Sequence, residues 1–135
     1  MKHSDRDKGR ILFLYTVALG CFAFAVGMGL FTQEISKFFG LDHVGPDGNL
    51  YAKDSAITWG TLGVAIIFTT MTNDIKYRIN FVRFVIGTLL LLNWIIVAWA
   101  YFSPVYTNTP LGNILNIFLL GYYTIGVIYY GFIDN

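Results

Sequence analysis

Long apolar segments, separated by short polar ones, are the dominant pattern of this chain. The longest stretch without a formal charge runs from Phe84 to Ile133, and only a polar patch at residues 103–110 interrupts it. A stretch this apolar leaves no solvated face in water, whereas a lipid bilayer accepts apolar side chains all round a helix. The pattern therefore predicts a membrane hairpin, with Pro104 and Pro110 in its connector because proline does not continue a helix.

Four segments have about the length that a membrane-spanning helix needs. A helix rises about 1.5 Å per residue, so about 20 residues cross a hydrocarbon core of about 30 Å. The predicted spans are residues 11–31, 55–71, 83–102 and 111–131. The predicted fold is therefore all-α, a single integral membrane domain over residues 1–135 that forms a four-helix bundle.

The segments between the predicted spans are short and polar. Residues 1–10 are expected to form a polar tail, and residues 73–78 a polar turn before the third span. Residues 32–54 form the one substantial loop on the outer side, in which a strong turn signal begins at Pro46. At the start of this loop, residues 32–41 have the spacing of apolar and charged side chains that lets a short helix rest on lipid headgroups.

Composition agrees with a membrane protein. Apolar residues make up 56% of the chain and charged residues only 13%, which is far from the average of soluble domains. The net charge is +1 and no dense cluster of Lys and Arg is present, so we expect no nucleic-acid partner. The single cysteine, Cys21, lies in the first span, which excludes an intrachain disulfide.

The distribution of basic residues predicts the orientation in the membrane. Four spans place both termini on one side, and short cytoplasmic segments carry an excess of Lys and Arg. The opposite side holds only Lys37 and Lys53. The basic residues of the terminal side are Lys2, Arg6, Lys8, Arg10, Lys76, Arg78 and Arg83. Both termini are therefore expected to be cytoplasmic, with the protein threaded several times through the cytoplasmic membrane of the cell.

Small residues recur at helical spacing in the first two spans. Spacings of three or four residues put them on one face of a helix, where they let a neighbouring helix approach closely. The alternative is that glycine and alanine are simply frequent in membrane helices. The small residues that we expect at helix contacts are Ala23, Gly27, Ala25, Gly29, Ala56, Gly60 and Gly63.

A few polar side chains lie inside the predicted spans and are the first candidates for a site. An amide without a partner is costly in hydrocarbon, so it tends to find a hydrogen bond. The candidates are Asn93, Asn113, Asn116, Thr124 and Thr61. They could line a site for a small ligand or an ion path, or they could make hydrogen bonds between helices that fix the packing. The second interpretation is the simpler one.

Metal and haem sites find little support in the sequence. The only histidines, His3 and His43, lie outside the predicted spans, which excludes a haem held by two histidines of this chain inside the bundle. Asp42, His43 and Asp47 could contribute to a metal site in the outer loop. Their spacing matches no common ligand pattern, however, and a solvated turn explains them as well.

Catalytic groups are missing from the membrane segments. No Asp, Glu, His or Lys lies within a predicted span, so a proton relay or a general base at membrane depth is not expected. The sequence contains no phosphate-binding glycine loop and no nucleophile elbow. We therefore expect that this chain alone is not an enzyme and holds no cofactor besides bound lipids.

The layout of the chain resembles that of the DoxX-like group of small four-helix membrane proteins. One span is followed by a loop of about twenty residues, then by a small-residue span that opens with Trp59, Gly60 and Gly63, and then by a closing hairpin. The resemblance covers most of the chain in outline. It implies the four-helix fold, and it implies no activity or site residue.

The sequence favours a non-catalytic role. The first hypothesis is an accessory subunit of a larger membrane complex of the respiratory, photosynthetic or metal-oxygenase type, with membrane lipids and other membrane subunits as partners. Its basis is an abundance of aromatic and small residues for helix contacts, without ionisable groups inside the spans. The alternatives are a protein that binds or carries a small neutral or lipid-like ligand, and a loop metal site at Asp42 and His43.

Overall fold

The computed structural model describes residues 3–38, 45–102 and 110–133, which are almost entirely helical. Four long helical segments and one short helix make up this part of the chain. The helices are α1 (His3–Leu30), α2 (Thr32–Phe38), α3 (Pro46–Met71), α4 (Ile75–Asn80), α5 (Gly87–Phe102) and α6 (Pro110–Val127). A π-helical segment, Phe81–Ile86, joins α4 to α5, and a second one, Ile128–Ile133, continues α6. The predicted all-α class is confirmed for the described residues.

Three of the long segments are apolar enough to cross a membrane. Among the described residues these are Asp5–Leu30, Ile75–Trp99 and Ile114–Ile133. The remaining long helix, α3, is not among them, and its first half carries Asp47 and Lys53. The 28 residues of α1 measure about 42 Å at about 1.5 Å per residue, which exceeds a hydrocarbon core of about 30 Å. The membrane-like character expected from the sequence is therefore present.

Neighbouring long segments run antiparallel, so the group of packed helices that the structure describes, called the bundle below, has two different ends. Arg78, at the start of α4, contacts Asp7 near the start of α1, and Arg10 contacts Tyr130 near the end of the last helix. We call this the terminal end, because both ends of the described chain lie there together with the turn between α3 and α4. The opposite end, where α1 leads into α2 and where α3 begins, is the loop end.

The most extensive contact between two helices is that of α1 with α3. A methyl group built on Gly29 would lie 3.4 Å from Ala56 Cβ, and one built on Gly60 would lie 3.8 Å from Ala25 Cβ. The backbones come this close because neither glycine carries a side chain. The structure thus brings four of the small residues predicted for helix contacts into one interface.

The other small residues have different neighbours. Gly63 leaves space for the ring of Phe22. A methyl group built on Gly63 would lie 2.9 Å from the nearest ring atoms of Phe22. Gly27 faces Ile35 of α2, at 3.0 Å from a methyl group built on the glycine. Ala23 is exposed and lines a groove on the surface of α1.

Helix α1 begins earlier than the sequence analysis predicts. The predicted polar tail is helical from His3, and Asp7 and Arg10, one turn apart, form an ion pair on the same face. Opposite charges three residues apart support a helix in this way. The segment is ordered because both side chains are buried against other helices.

Helices α3 and α4 also begin before the predicted boundaries. Pro46 occupies the first turn of α3, where the missing N–H of proline costs nothing, so the predicted turn is a helix start. The turn between α3 and α4 is confined to Thr72–Asp74, since Asp74 Oδ1 accepts a hydrogen bond of 3.0 Å from the N–H of Tyr77 and caps α4.

The buried core lies in the terminal half of the bundle. It is formed by apolar side chains from all four long segments, of which Leu14 and Ile66 are completely buried. Phe13 stacks on Tyr130 with ring centroids 5.4 Å apart and meets Tyr123 edge to face at 6.5 Å. Large aromatic side chains therefore fill the space between α1 and the last helix.

The two π-helical segments contact each other close to the terminal end. A methyl group built on Gly131 would lie 3.3 Å from Arg83 Cα, so the two backbones approach closely. π-Helical turns are rare and occur often at functional sites. Here they bring Arg83 beside the end of the last helix.

Candidate functional site

A cavity of about 300 Å³ lies between α1, α5 and α6, where the buried core ends. Phe38 of α2 and Trp59 of α3 extend its wall. Polar groups are few and include the amides of Asn93 and Asn116 and the hydroxyl of Tyr123. Much of the remaining wall is formed by Leu89, Leu90, Leu115, Leu119 and Leu120. A largely apolar pocket with a few polar groups is the usual form of a small-molecule site.

The two asparagines of the cavity differ in their hydrogen bonds. The Asn93 amide nitrogen donates to Leu89 O at 2.8 Å, within its own helix. Asn116 is half-buried, and its amide makes no hydrogen bond to any described residue. An amide has two N–H donors and a carbonyl acceptor, and burial without partners is unfavourable. Asn116 therefore offers both kinds of group to a molecule in the cavity.

The cavity adjoins a more open groove of about 630 Å³ between α1 and α6. The described residues that line the groove belong to α1, α2 and α6, and this lining is almost entirely apolar. The residues that line both the cavity and the groove are Gly20, Phe24, Phe38, Leu115, Leu119 and Tyr123. The groove therefore lies beside the cavity, on the face of the bundle between α1 and α6.

Tyr123 separates this region from the core. Its hydroxyl donates to Thr16 O of α1 at 3.1 Å. The side chain crosses α1 at Gly20, where an added methyl group would collide with the tyrosine hydroxyl. Gly20 thus lets α6 be tied to α1 at the inner edge of the cavity.

Thr124 and Thr61, two of the other predicted polar residues, do not line the cavity. Thr124 accepts a hydrogen bond of 2.9 Å from Trp94 Nε1 and donates to Leu120 O at 2.7 Å, so it links α5 and α6. Thr61 is exposed on α3 and donates to Ile57 O at 2.8 Å, so the structure does not bring it to the asparagines. The side chain of Asn113 lies outside the described part of the chain.

A cluster of buried charges lies at the terminal end. The carboxylate of Asp7 accepts hydrogen bonds from Arg10 at 3.2 Å and from Arg78 Nε at 3.1 Å. Arg78 Nη2 donates to the second carboxylate oxygen, so Arg78 and Asp7 form a bidentate pair. Arg10 is 2% exposed and Arg78 4%. One carboxylate is therefore shared by two guanidinium groups that are shielded from solvent.

The arginines of this end also cap helices. The last carbonyl groups of a helix have no partner within it and carry partial negative charge. Arg78 donates to Thr72 O at the end of α3, Arg10 to Tyr130 O at 3.2 Å and Arg83 to Gly131 O at 2.9 Å. The cluster thus ties the ends of two helices to the starts of α1 and α4.

From the sequence, these arginines are interpreted only as topology signals, and the cluster is not predicted. One local signal exists, because Asp7 and Arg10 have the spacing of a helical ion pair directly before an apolar run. No local signal pairs Asp7 with Arg78, since the two are 71 residues apart. This contact depends on the packing of α1 against α4.

The predicted loop metal site is only partly within the described residues. Asp42 and His43 lie outside them, and Asp47 is exposed in the first turn of α3. The described ranges contain no group of three His, Cys, Asp or Glu side chains placed to hold a metal ion. The loop metal site stays a prediction.

The chain was also compared with models of known protein families, with curated proteins and with solved structures, and none of the three comparisons gives a match. The resemblance in layout to the DoxX-like group therefore stays a prediction.

Proposed function

We propose that this protein is a four-helix integral membrane protein that binds a small, neutral, lipid-like molecule between α1, α5 and α6. The observation that carries the proposal is the cavity, which combines an apolar wall with the amide of Asn116, a group without a hydrogen bond to any described residue. The apolar wall favours an apolar body in the ligand, and the amide favours one hydroxyl or carbonyl group on it. No group of the described wall carries a formal charge, which favours a neutral ligand.

In this proposal α3 is the fourth membrane crossing. It follows α1 in close contact from Ala56 to Gly63 and reaches the terminal end, where Thr72 contacts Arg78. The excess of basic residues at the terminal end supports an orientation with both termini in the cytoplasm. The cavity then lies in the outer half of the membrane.

The size of the cavity limits the ligand. An apolar cavity of about 150 Å³ in a protein core can hold benzene, and the volume here, about 300 Å³, is about twice that. One ring with a short substituent, or one short alkyl chain, would fill it. The adjoining groove between α1 and α6 offers a path from the lipid, so such a ligand would enter sideways from the bilayer.

A tryptophan at the edge of the cavity tests the proposal. Leu119 lines both the cavity and the groove and is 50% exposed, so Leu119→Trp should narrow the entrance without overfilling the core. Ile117→Trp is the matched control, because Ile117 is 48% exposed on the same helix and lines neither space. The measurement is saturable binding of a tritiated medium-chain fatty alcohol to the purified full-length protein in detergent.

We expect saturable binding by the wild-type chain and by Ile117→Trp. We expect Leu119→Trp to bind at least about tenfold more weakly, which corresponds to about 1.4 kcal/mol. Binding that does not saturate in the wild-type chain, or equal binding by both variants, would contradict the proposal.

A second candidate function, an accessory subunit of a membrane complex, rests on the loop end of α5. Tyr101 and Phe102 are 73% and 83% exposed, and their rings pack edge to face with centroids 5.3 Å apart. Exposed, mutually packed aromatic rings are frequent at protein interfaces. If membranes from the natural source, solubilised in mild detergent, release only the monomer, this candidate is wrong. Phe118→Ser is the control, because Phe118 is 73% exposed but lies in the middle of α6, away from the end of α5. Loss of a defined larger species on Phe102→Ser, but not on Phe118→Ser, would support this candidate.

A further inference from the structure

Arg83 lies at the surface of the terminal end, in the first π-helical segment. Its Nε donates to Gly131 O at 2.9 Å. Its Cζ lies 5.1 Å from the centroid of the Phe132 ring and 5.9 Å from that of the Phe84 ring. These two phenylalanines are 55% and 62% exposed. The guanidinium group is therefore held at the outside of the bundle between two aromatic side chains.

Most hydrogen-bond donors of Arg83 are unused within the described part of the chain. A guanidinium group has five N–H donors, and only Nε–H has an acceptor among the described residues. Arg10 and Arg78 differ, because both donate to Asp7. Arg83 makes no ion pair with any described carboxylate, so its two terminal nitrogens are available to an acceptor from the surroundings.

The surroundings of Arg83 favour an anionic acceptor that has an apolar part. A guanidinium group binds phosphate oxygens through two parallel hydrogen bonds. The same end of the bundle carries the exposed Lys76 and the exposed Lys8, the latter 3.9 Å from Asp5. Basic groups at a membrane surface attract anionic lipids. Phe84 and Phe132 supply the apolar surface along which acyl chains would lie.

We propose that Arg83 binds the phosphate of an anionic phospholipid, whose acyl chains pack against Phe84 and Phe132. The site lies at the terminal end, whereas the cavity lies toward the loop end, so it does not depend on the proposed function. Its ligand is charged, and the ligand proposed for the cavity is neutral.

Native mass spectrometry of the full-length protein, released from detergent with added lipid, tests this site. The lipids are phosphatidylglycerol and phosphatidylcholine, compared at equal concentration, and inorganic phosphate serves as a competitor. We expect the wild-type chain to retain phosphatidylglycerol in preference to phosphatidylcholine, with no competition from inorganic phosphate at millimolar concentration. Arg83→Gln should weaken phosphatidylglycerol binding about tenfold, because it removes the charge and the two-donor geometry.

Lys76→Gln is the matched control, since Lys76 is exposed at the same end but is not among the residues that contact the Arg83 guanidinium. It should change the affinity by less than about twofold, as expected for one exposed and screened charge. Arg83→Lys should fall between wild type and Arg83→Gln, because it keeps the charge and loses the planar fork.

Phe84→Leu is a second test variant, to be used if Arg83→Gln does not fold. The side chain of Phe84 is exposed, so its replacement leaves the core intact. Phe84→Leu should lower the affinity for phosphatidylglycerol about threefold, as expected from the loss of one exposed aromatic face. Equal losses from Arg83→Gln and Lys76→Gln would overturn the proposal. Equal retention of the two lipids, or displacement by inorganic phosphate, would also overturn it.

Discussion

Polar side chains at the two ends of the bundle differ in their hydrogen bonding. At the terminal end, Asp7, Arg10 and Arg78 are buried together and joined by direct hydrogen bonds. Toward the loop end, Asn116 faces a cavity and has no hydrogen bond to any described residue. The first arrangement fixes the positions of four helix ends, whereas the second leaves a polar group available to another molecule.

Stability and ligand binding therefore depend on different ends of the molecule. Breaking a satisfied buried network is costly, because it leaves a charged group without its partner. Removing an unpaired polar group from an apolar wall costs little and can even stabilise. Substitutions at the terminal end should therefore lower the free energy of unfolding, and substitutions at the cavity should alter ligand binding instead.

The largest effect is expected for Asp7→Asn. Two buried guanidinium groups would lose the carboxylate that they share, so the free energy of unfolding should fall by about 3–5 kcal/mol. The measurement is thermal unfolding of the purified protein in detergent.

The control for Asp7→Asn is Asp5→Asn. Asp5 also pairs with a basic residue three positions later, but at 3.9 Å and with both side chains more than half exposed. A pair of this kind contributes less than about 1 kcal/mol. If the two substitutions lowered the midpoint of unfolding equally, the terminal end would not be the stabilising end.

An intermediate effect is expected for Gly126→Ala on α6. Phe13 is 3% exposed, and its ring would collide with the added methyl group. Overfilling a well-packed core costs about 1–3 kcal/mol. Gly121→Ala is the control, because space is open there and alanine favours a helix. Gly121→Ala should leave the midpoint of unfolding unchanged or raise it. Equal losses for both variants would show that the loss at Gly126 does not come from the collision with Phe13.

Much of the fold could be predicted from the sequence, because the signals are local. Long apolar runs predict the helices, and the small residues Ala25, Gly29, Ala56 and Gly60 lie where α1 and α3 come closest. Local signals also misled the prediction at Pro46. Proline and glycine favour turns, yet proline fits equally well in the first turn of a helix, and the structure has a helix there.

The sites depend on contacts between distant segments and could be predicted only in part. Asn93 and Asn116 are recognisable as polar residues in apolar helices, but the cavity that both of them line depends on how side chains of separate helices fill the space. The contact between Asp7 and Arg78 joins the first and third long segments, and the sequence pattern of neither segment contains it.

The smallest effect on stability and a clear effect on binding are expected for Asn116→Leu. Leucine has the same branching and the same number of side-chain heavy atoms as asparagine, its extra volume can extend into the cavity that Asn116 lines, and no hydrogen bond within the described structure is lost. The free energy of unfolding should therefore change by less than about 0.5 kcal/mol. Saturable binding of a fatty alcohol should weaken about fivefold, because its hydroxyl group would lose a hydrogen-bond partner.

Asn93→Leu is the matched comparison for Asn116→Leu. The Asn93 amide already donates to Leu89 O at 2.8 Å, so its donor is less available to a ligand, and its loss should weaken binding less than the loss of Asn116. A stability loss of several kcal/mol for Asn116→Leu would mean that the amide has a structural partner, and the contrast between the two ends would then disappear. Unchanged binding together with unchanged stability would mean that the cavity holds its occupant through apolar contact alone.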